Sequence, residues 1–91
     1  MDSRVIATAA QCRAARALLN WTQTDLAQAA TVARKTIADF ELGRRTLHLR
    51  TRRDIADALT RAGIHFLDRH GVCLRREEGA DEPADDWRIE A

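Results

Sequence analysis

Between residues 21 and 43 apolar positions recur twice with helical spacing, separated by a break. Leu26 and Ala27 form the apolar pair of the first segment. Val32 stands at the entrance of the second, with Ile37 and Phe40 one turn apart behind it. Ahead of the first segment, Thr22-Gln23-Thr24-Asp25 is a capping-box variant. The Thr22 hydroxyl suits an orphan backbone donor, and Asp25 sits at the positive helix end. The pattern predicts two short helices joined by a tight turn. Upstream, residues 8–19 are rich in Ala, Leu, Arg and Gln, all good helix formers. Cys12, Ala15 and Leu19 recur there at three and four residues as a core stripe, and Asn20-Trp21 closes the helix with Trp21 packing at the junction. Residues 1–7 carry no firm signal and are expected to fray. Downstream, Gly43 fits a helix C-cap. Thr51-Arg52-Arg53-Asp54 repeats the capping pattern and opens a fourth helix to about Ala62, with Ile55 and Leu59 inward and Gly63 as its stop.

The period then changes from helical to alternating. Ile64-His65-Phe66-Leu67-Asp68 and Val72-Cys73-Leu74-Arg75, with a turn at Arg69-His70-Gly71, read as a β-hairpin. Ile64 and Phe66 share a face with Val72 and Leu74. An isolated hairpin is barely stable in water, so this one must pack on the helices or pair with another chain. Its outer strand is a ready edge for a two-fold partner, which makes a homodimer through residues 64–75 the expected reading and folding back on its own domain the alternative. Together the pattern predicts a mainly α fold: a compact four-helix domain over residues 8–62, a hairpin over 63–76 and a flexible tail over 77–91.

Length bounds the chain of 91 residues to one small domain. The two cysteines, Cys12 and Cys73, lack Cys-x-x-Cys spacing and read as reduced thiols, neither metal ligands nor a disulfide framework. No stretch has the length and apolarity of a signal peptide or membrane span, and a cytoplasmic protein is expected. A net charge of +1 hides a strong division. Residues 1–76 hold fourteen basic and seven acidic side chains, whereas residues 77–91 hold seven acidic ones against Arg88. A basic domain followed by an acidic segment is the layout of a polyanion binder with an appendage. Trp87 and Ile89 within that segment suit a short interaction motif, or a return over the basic face in competition with a polyanion.

The second helix of the 21–43 stretch carries Arg34, Lys35, Thr36 and Asp39 between its apolar positions. Held by its back, with basic and hydrogen-bonding groups along its front, such a helix suits a DNA major groove. On Thr22-Gln23, Asp25-Leu26-Ala27, Val32, Thr36-Ile37 and the ending Phe40-Glu41-Leu42-Gly43, the chain resembles the Cro/repressor-type (xenobiotic-response-element-like) helix-turn-helix family of small bacterial and phage regulators. The resemblance runs from about Cys12 to about Leu59. It implies that Arg16 pairs with Glu41 as scaffold, that Gln23 fixes the DNA backbone, and that Arg44 and Arg45 in the loop 44–50 are phosphate contacts, with Leu47 or Leu49 tucked into the core. Two positions of the turn depart from the family pattern: Thr31 stands where Gly is common, at the cost of strain in a left-handed turn, and Ala33 replaces a capping hydroxyl worth about 1 kcal/mol. Arg52 replaces an apolar residue, so the fourth helix is expected to enter differently or to face the DNA.

No enzymatic constellation is present: His48, His65 and His70 lack ligand spacing, there is no glycine-rich phosphate loop, and Ser3 is the sole serine. Neither a cofactor nor a metal is expected. The sequence thus reads as a non-enzymatic, sequence-specific DNA-binding regulator, a repressor, with Gln23, Arg34, Lys35, Thr36, Asp39, Arg44 and Arg45 at the DNA and an inverted-repeat operator as partner. The rival reading is a protein-interaction module, an antitoxin or anti-activator, built on the same scaffold.

Overall fold

The computed structural model describes residues 6–68 and 70–75. The acidic segment 77–91, with its expected disorder, lies outside the described residues. The element order is α1 (Ala9–Leu19), α2 (Gln23–Ala30), α3 (Arg34–Glu41), α4 (Leu49–Arg61), β1 (Ile64–Leu67) and β2 (Gly71–Leu74), so the mainly α fold with a terminal hairpin is found.

Capping residues set the first two helices. The Thr8 hydroxyl accepts from Gln11 N at 3.0 Å while Gln11 Oε1 accepts from Thr8 N at 3.1 Å, a reciprocal box that starts α1. Asn20, at φ 61°, ends α1 in the left-handed region. The same box recurs at α2 between Thr22 and Asp25. Cys12, Ala15, Leu26, Ile37, Ile55 and Leu59 are fully buried and form the centre of the core, with Trp21 packed at its margin as expected.

Several expectations need correction. The fourth helix starts at Leu49, two residues before Thr51, with His48 as an N-cap that makes no side-chain bond. Buried Leu47 anchors the chain just ahead of it, so the packing of that side chain, rather than a hydroxyl cap, decides where the helix begins. Leu47 is the residue that enters the core, while Leu49 stays exposed. Arg52 does not face outward to DNA: its Nε donates to the Ala7 carbonyl at 3.2 Å and its guanidinium lies 5.9 Å from the Phe40 ring centroid. Ala7 is itself fully buried, so at that residue the chain is fastened, not frayed.

The strands pair antiparallel, with Ile64 opposite Leu74, His65 opposite Cys73 and Phe66 opposite Val72. Gly71 faces Leu67 and begins β2, where the sequence placed it in the turn. β2 lies against α1 and β1 against α4. Gln11, on the buried face of α1, closes the contact: its Nε2 donates to the Asp68 and Gly71 carbonyls at 2.9 and 3.0 Å. The hairpin therefore folds back on its own domain. Leu67 and Leu74 remain exposed on it.

Candidate DNA interface

The turn between α2 and α3 is tight because its C-cap is left-handed. Thr31 adopts φ 61° and ψ 50°, a region that costs a β-branched residue strain. Val32 N then returns to the Ala27 carbonyl at 2.9 Å, aiming the chain into α3. Ala33 caps α3 with extended backbone and no side-chain bond, as its missing hydroxyl dictates. Ile37, Phe40 and Glu41 are buried against the rest of the domain. The opposite face presents Arg34 and Lys35 exposed, with Thr36 and Asp39 half-buried beside them.

The far end of α3 is tied down from α1. Arg16 grips the Glu41 carboxylate through Nε at 2.8 Å and Nη2 at 2.7 Å, and its Nη1 donates to the Trp21 carbonyl at 3.0 Å. The Cys12 thiol and Gln23 Nε2 add donors to the same carboxylate, each at 3.1 Å. Arg13 reaches the Glu41 backbone carbonyl, covering one of the acceptors a helix end leaves open. Burial alone would raise the Glu41 pKa. The hydrogen bonds from Arg16, Cys12 and Gln23 outweigh it and hold the carboxyl below the usual range. Burial, reinforced by the hydrogen bond to Glu41, pushes the Cys12 thiol far up and keeps it neutral. The scaffold pairing expected for Arg16 and Glu41 is present.

α3 ends in a glycine motif. Gly43 takes φ 78°, and Arg44 N donates to the Asp39 carbonyl at 2.9 Å. That turn brings Arg44, Arg45 and Thr46, all exposed, beside the α3 front before Leu47 dives into the core. Arg45, Thr46, Thr36 and Thr51 share the lining of a cleft of about 340 Å³ between the turn, α3 and the start of α4. Because α4 begins at Leu49, its first backbone N–H groups have no helical acceptor at this end. Neither Thr46 nor Thr51 was singled out from the sequence as a site residue. The misplaced start of α4 concealed them.

The predicted site residues are thus gathered along one side of the domain, but four of them are engaged within the protein, in two pairs. Gln23, besides donating to Glu41, accepts from Arg34 Nη1 at 3.3 Å. Lys35 Nζ lies 3.5 Å from Asp39 Oδ2, an ion pair one turn apart on α3. Among the described residues no group of three or more His, Cys, Asp or Glu side chains is placed to hold a metal ion, and no helix is long and apolar enough to cross a membrane.

A family model described as helix-turn-helix matches residues 13–61, just over half the chain. That span runs from α1 to the last residue of α4. No curated protein matches the chain. With the capped helix pair, the left-handed turn and the exposed basic face of α3 inside the matched span, the chain belongs to the Cro/repressor-type helix-turn-helix family of DNA-binding transcription regulators.

Proposed function

We propose that the protein is a repressor that reads an operator in the major groove with α3 and binds it as a homodimer. Residues 8–62 form the reading unit, and the hairpin, residues 63–76, joins two copies. One observation carries the reading: α3 is buried along Ile37, Phe40 and Glu41 and bare along Arg34 and Lys35, with Arg44 and Arg45 continuing the same basic side. Arg34 forks onto guanine O6 and N7, a contact worth about 1–3 kcal/mol of discrimination. Lys35 and Thr36 line the same face, and Asp39 accepts from a cytosine amino group. Gln23 holds Arg34 in place and meets the backbone, while Arg44, Arg45 and the open N–H groups at the start of α4 take phosphates.

The exposed Leu67, on the face opposite Ile64 and Phe66, supports the dimer, since a second hairpin stacked on that face would remove it from water. Two copies related by a two-fold axis place their α3 helices on half-sites about 34 Å apart in an inverted repeat. Occupying a promoter in this way needs no further surface to repress it. The test is selection of duplexes from a random pool at moderate salt, where phosphate contacts alone fade. Enrichment of an inverted repeat is expected; a pool that stays random would refute sequence reading.

A protein-interaction role, as an antitoxin or anti-activator, is favoured by a different observation. Leu42 and Leu49, 65% and 51% exposed, flank the basic loop with apolar surface that a phosphate backbone does not need. Replacing Arg34 and Lys35 together by Ala separates the two: DNA selection is lost, and a protein partner held at Leu42 and Leu49 is kept.

A further inference from the structure

An open basic face attracts any polyanion within reach, including one tethered to it. Arg34, Lys35, Arg44 and Arg45 are all exposed. Among the described residues Asp39, beside Lys35, is the only carboxylate ion-paired to any of them. The same chain carries a polyanion of its own: residues 77–91 hold seven carboxylates and one arginine, −6 against the +7 of residues 1–76.

Reach is ample. Arg75 N donates to the Gly63 carbonyl at 2.7 Å, so the chain leaves the hairpin beside the C-terminal end of α4. Arg44 and Arg45 lie just before the N-terminal end of that helix. Its 13 residues set a separation of about 20 Å. Residues 76–91, at roughly 3.3 Å each, span up to about 50 Å. A tether of this length holds its end near the face at an effective concentration on the order of millimolar. Charge is matched by apolar surface too: Trp87 and Ile89 stand among the carboxylates, and Leu42 lies 65% exposed where α3 ends beside Arg44.

We infer that residues 77–91 dock on the face formed by α3 and the loop after it, their carboxylates taking the places of DNA phosphates on Arg34, Lys35, Arg44 and Arg45. DNA must then displace the chain's own acidic segment, which raises the threshold for binding and penalises weak, non-specific sites most. The consequence for DNA rests on the reading above; the contact itself does not.

The experiment compares the full chain with a full-length variant carrying Glu77→Gln, Glu78→Gln, Asp81→Asn, Glu82→Gln, Asp85→Asn, Asp86→Asn and Glu90→Gln. Affinity for a random duplex is read by fluorescence anisotropy, and backbone amide shifts are read by NMR without DNA. Docking predicts about tenfold tighter DNA binding by the variant at 50 mM salt, shrinking to under about twofold at 300 mM as ions screen the contact. Outside the substituted segment, it also predicts amide shift changes confined to residues 34–46. Tighter binding without those localised shifts would overturn docking, because the added net charge alone would explain it. Unchanged affinity with unchanged shifts at residues 34–46 would overturn it as well. Localised shifts in a protein that binds no duplex at all would uphold docking and refute the DNA-reading function instead.

Discussion

Removing Arg16 should damage this fold far more than neutralising Glu41, although each change deletes the same ion pair. The Glu41 side chain is 3% exposed and receives four donors, two of them from Arg16. In Arg16→Ala the carboxylate stays buried and charged with only a thiol and an amide beside it. Breaking a buried pair from one side costs about 3–5 kcal/mol. The bond from Arg16 to the Trp21 carbonyl adds about 1 kcal/mol. Against this, the Arg16 side chain is itself 20% exposed, so its removal lets water approach and offsets part of the loss. A net cost of about 3 kcal/mol is expected. In Glu41→Gln the guanidinium keeps an amide oxygen and takes up water at its exposed edge, for about 1–2 kcal/mol. A domain of this size holds on the order of 5 kcal/mol in total. Arg16→Ala thus removes most of its stability.

Urea unfolding followed by far-UV circular dichroism measures both variants. With a slope near ~1 kcal/mol per molar urea for so small a domain, the Arg16→Ala midpoint should fall by about 3 M, or the folded baseline should vanish. Equal losses in the two variants, or less than ~1 kcal/mol for Arg16→Ala, would refute the argument that an abandoned buried charge dominates. The acid limb supplies an independent check. The folded pKa of Glu41 lies below its unfolded value, about 4.3. Its contribution is therefore fully present above that value and lost as pH falls through the folded pKa. Glu41→Gln should flatten that part of the stability profile.

Further outcomes follow from other side chains. Cys12 is held protonated in the fold, so above pH ~8.5 the unfolded thiol ionises and the native one does not. Stability should drop by up to about 1.4 kcal/mol per pH unit, a slope that Cys12→Ser abolishes in alkaline urea titrations. Ala33→Ser should add a hydroxyl cap to α3 and raise stability by about 1 kcal/mol; no gain in the urea midpoint would mean that the backbone leaves the hydroxyl short of its donor. Thr31→Gly should relieve left-handed strain for a net gain of up to about 1 kcal/mol, read as a higher melting temperature. Gln11→Ala strips the Asp68 and Gly71 carbonyls of their donor; a loss of about 1–3 kcal/mol is expected, with hydrogen exchange in β2 quickening first.

How far the fold was legible depended on how far apart its partners lie in the chain. Thr22 and Asp25 are three residues apart, and their box could be read from spacing alone. The strain at Thr31 and the missing cap at Ala33 were equally local, and both are found. Gln11 defeats such reading. A glutamine on a helix is normally solvated, yet this one is 1% exposed because two carbonyls 57 and 60 residues away need its amide. Arg52 fails for the same reason: its partners, the Ala7 carbonyl and the Phe40 ring, belong to segments that meet only in the folded domain.

The candidate DNA face divides along the same line. Which side chains it contains follows from the helical period of α3, because Ile37 and Phe40 fix its back and so its front. What those side chains do before DNA arrives does not follow from any period. Gln23 lies eleven residues from Arg34 and eighteen from Glu41, and its one amide serves both, donating to the buried carboxylate and accepting from the exposed guanidinium. An amide has both a donor and an acceptor end, so Gln is suited to join a buried anion to an exposed cation. Glu in its place would repel Glu41, and Lys could not accept from Arg34. The polarity of Gln23 marks it equally for a phosphate or for the scaffold. Only the meeting of α1, α2 and α3 at Glu41 decides that its free-state partners are inside the protein, and that Arg34 is presented already held.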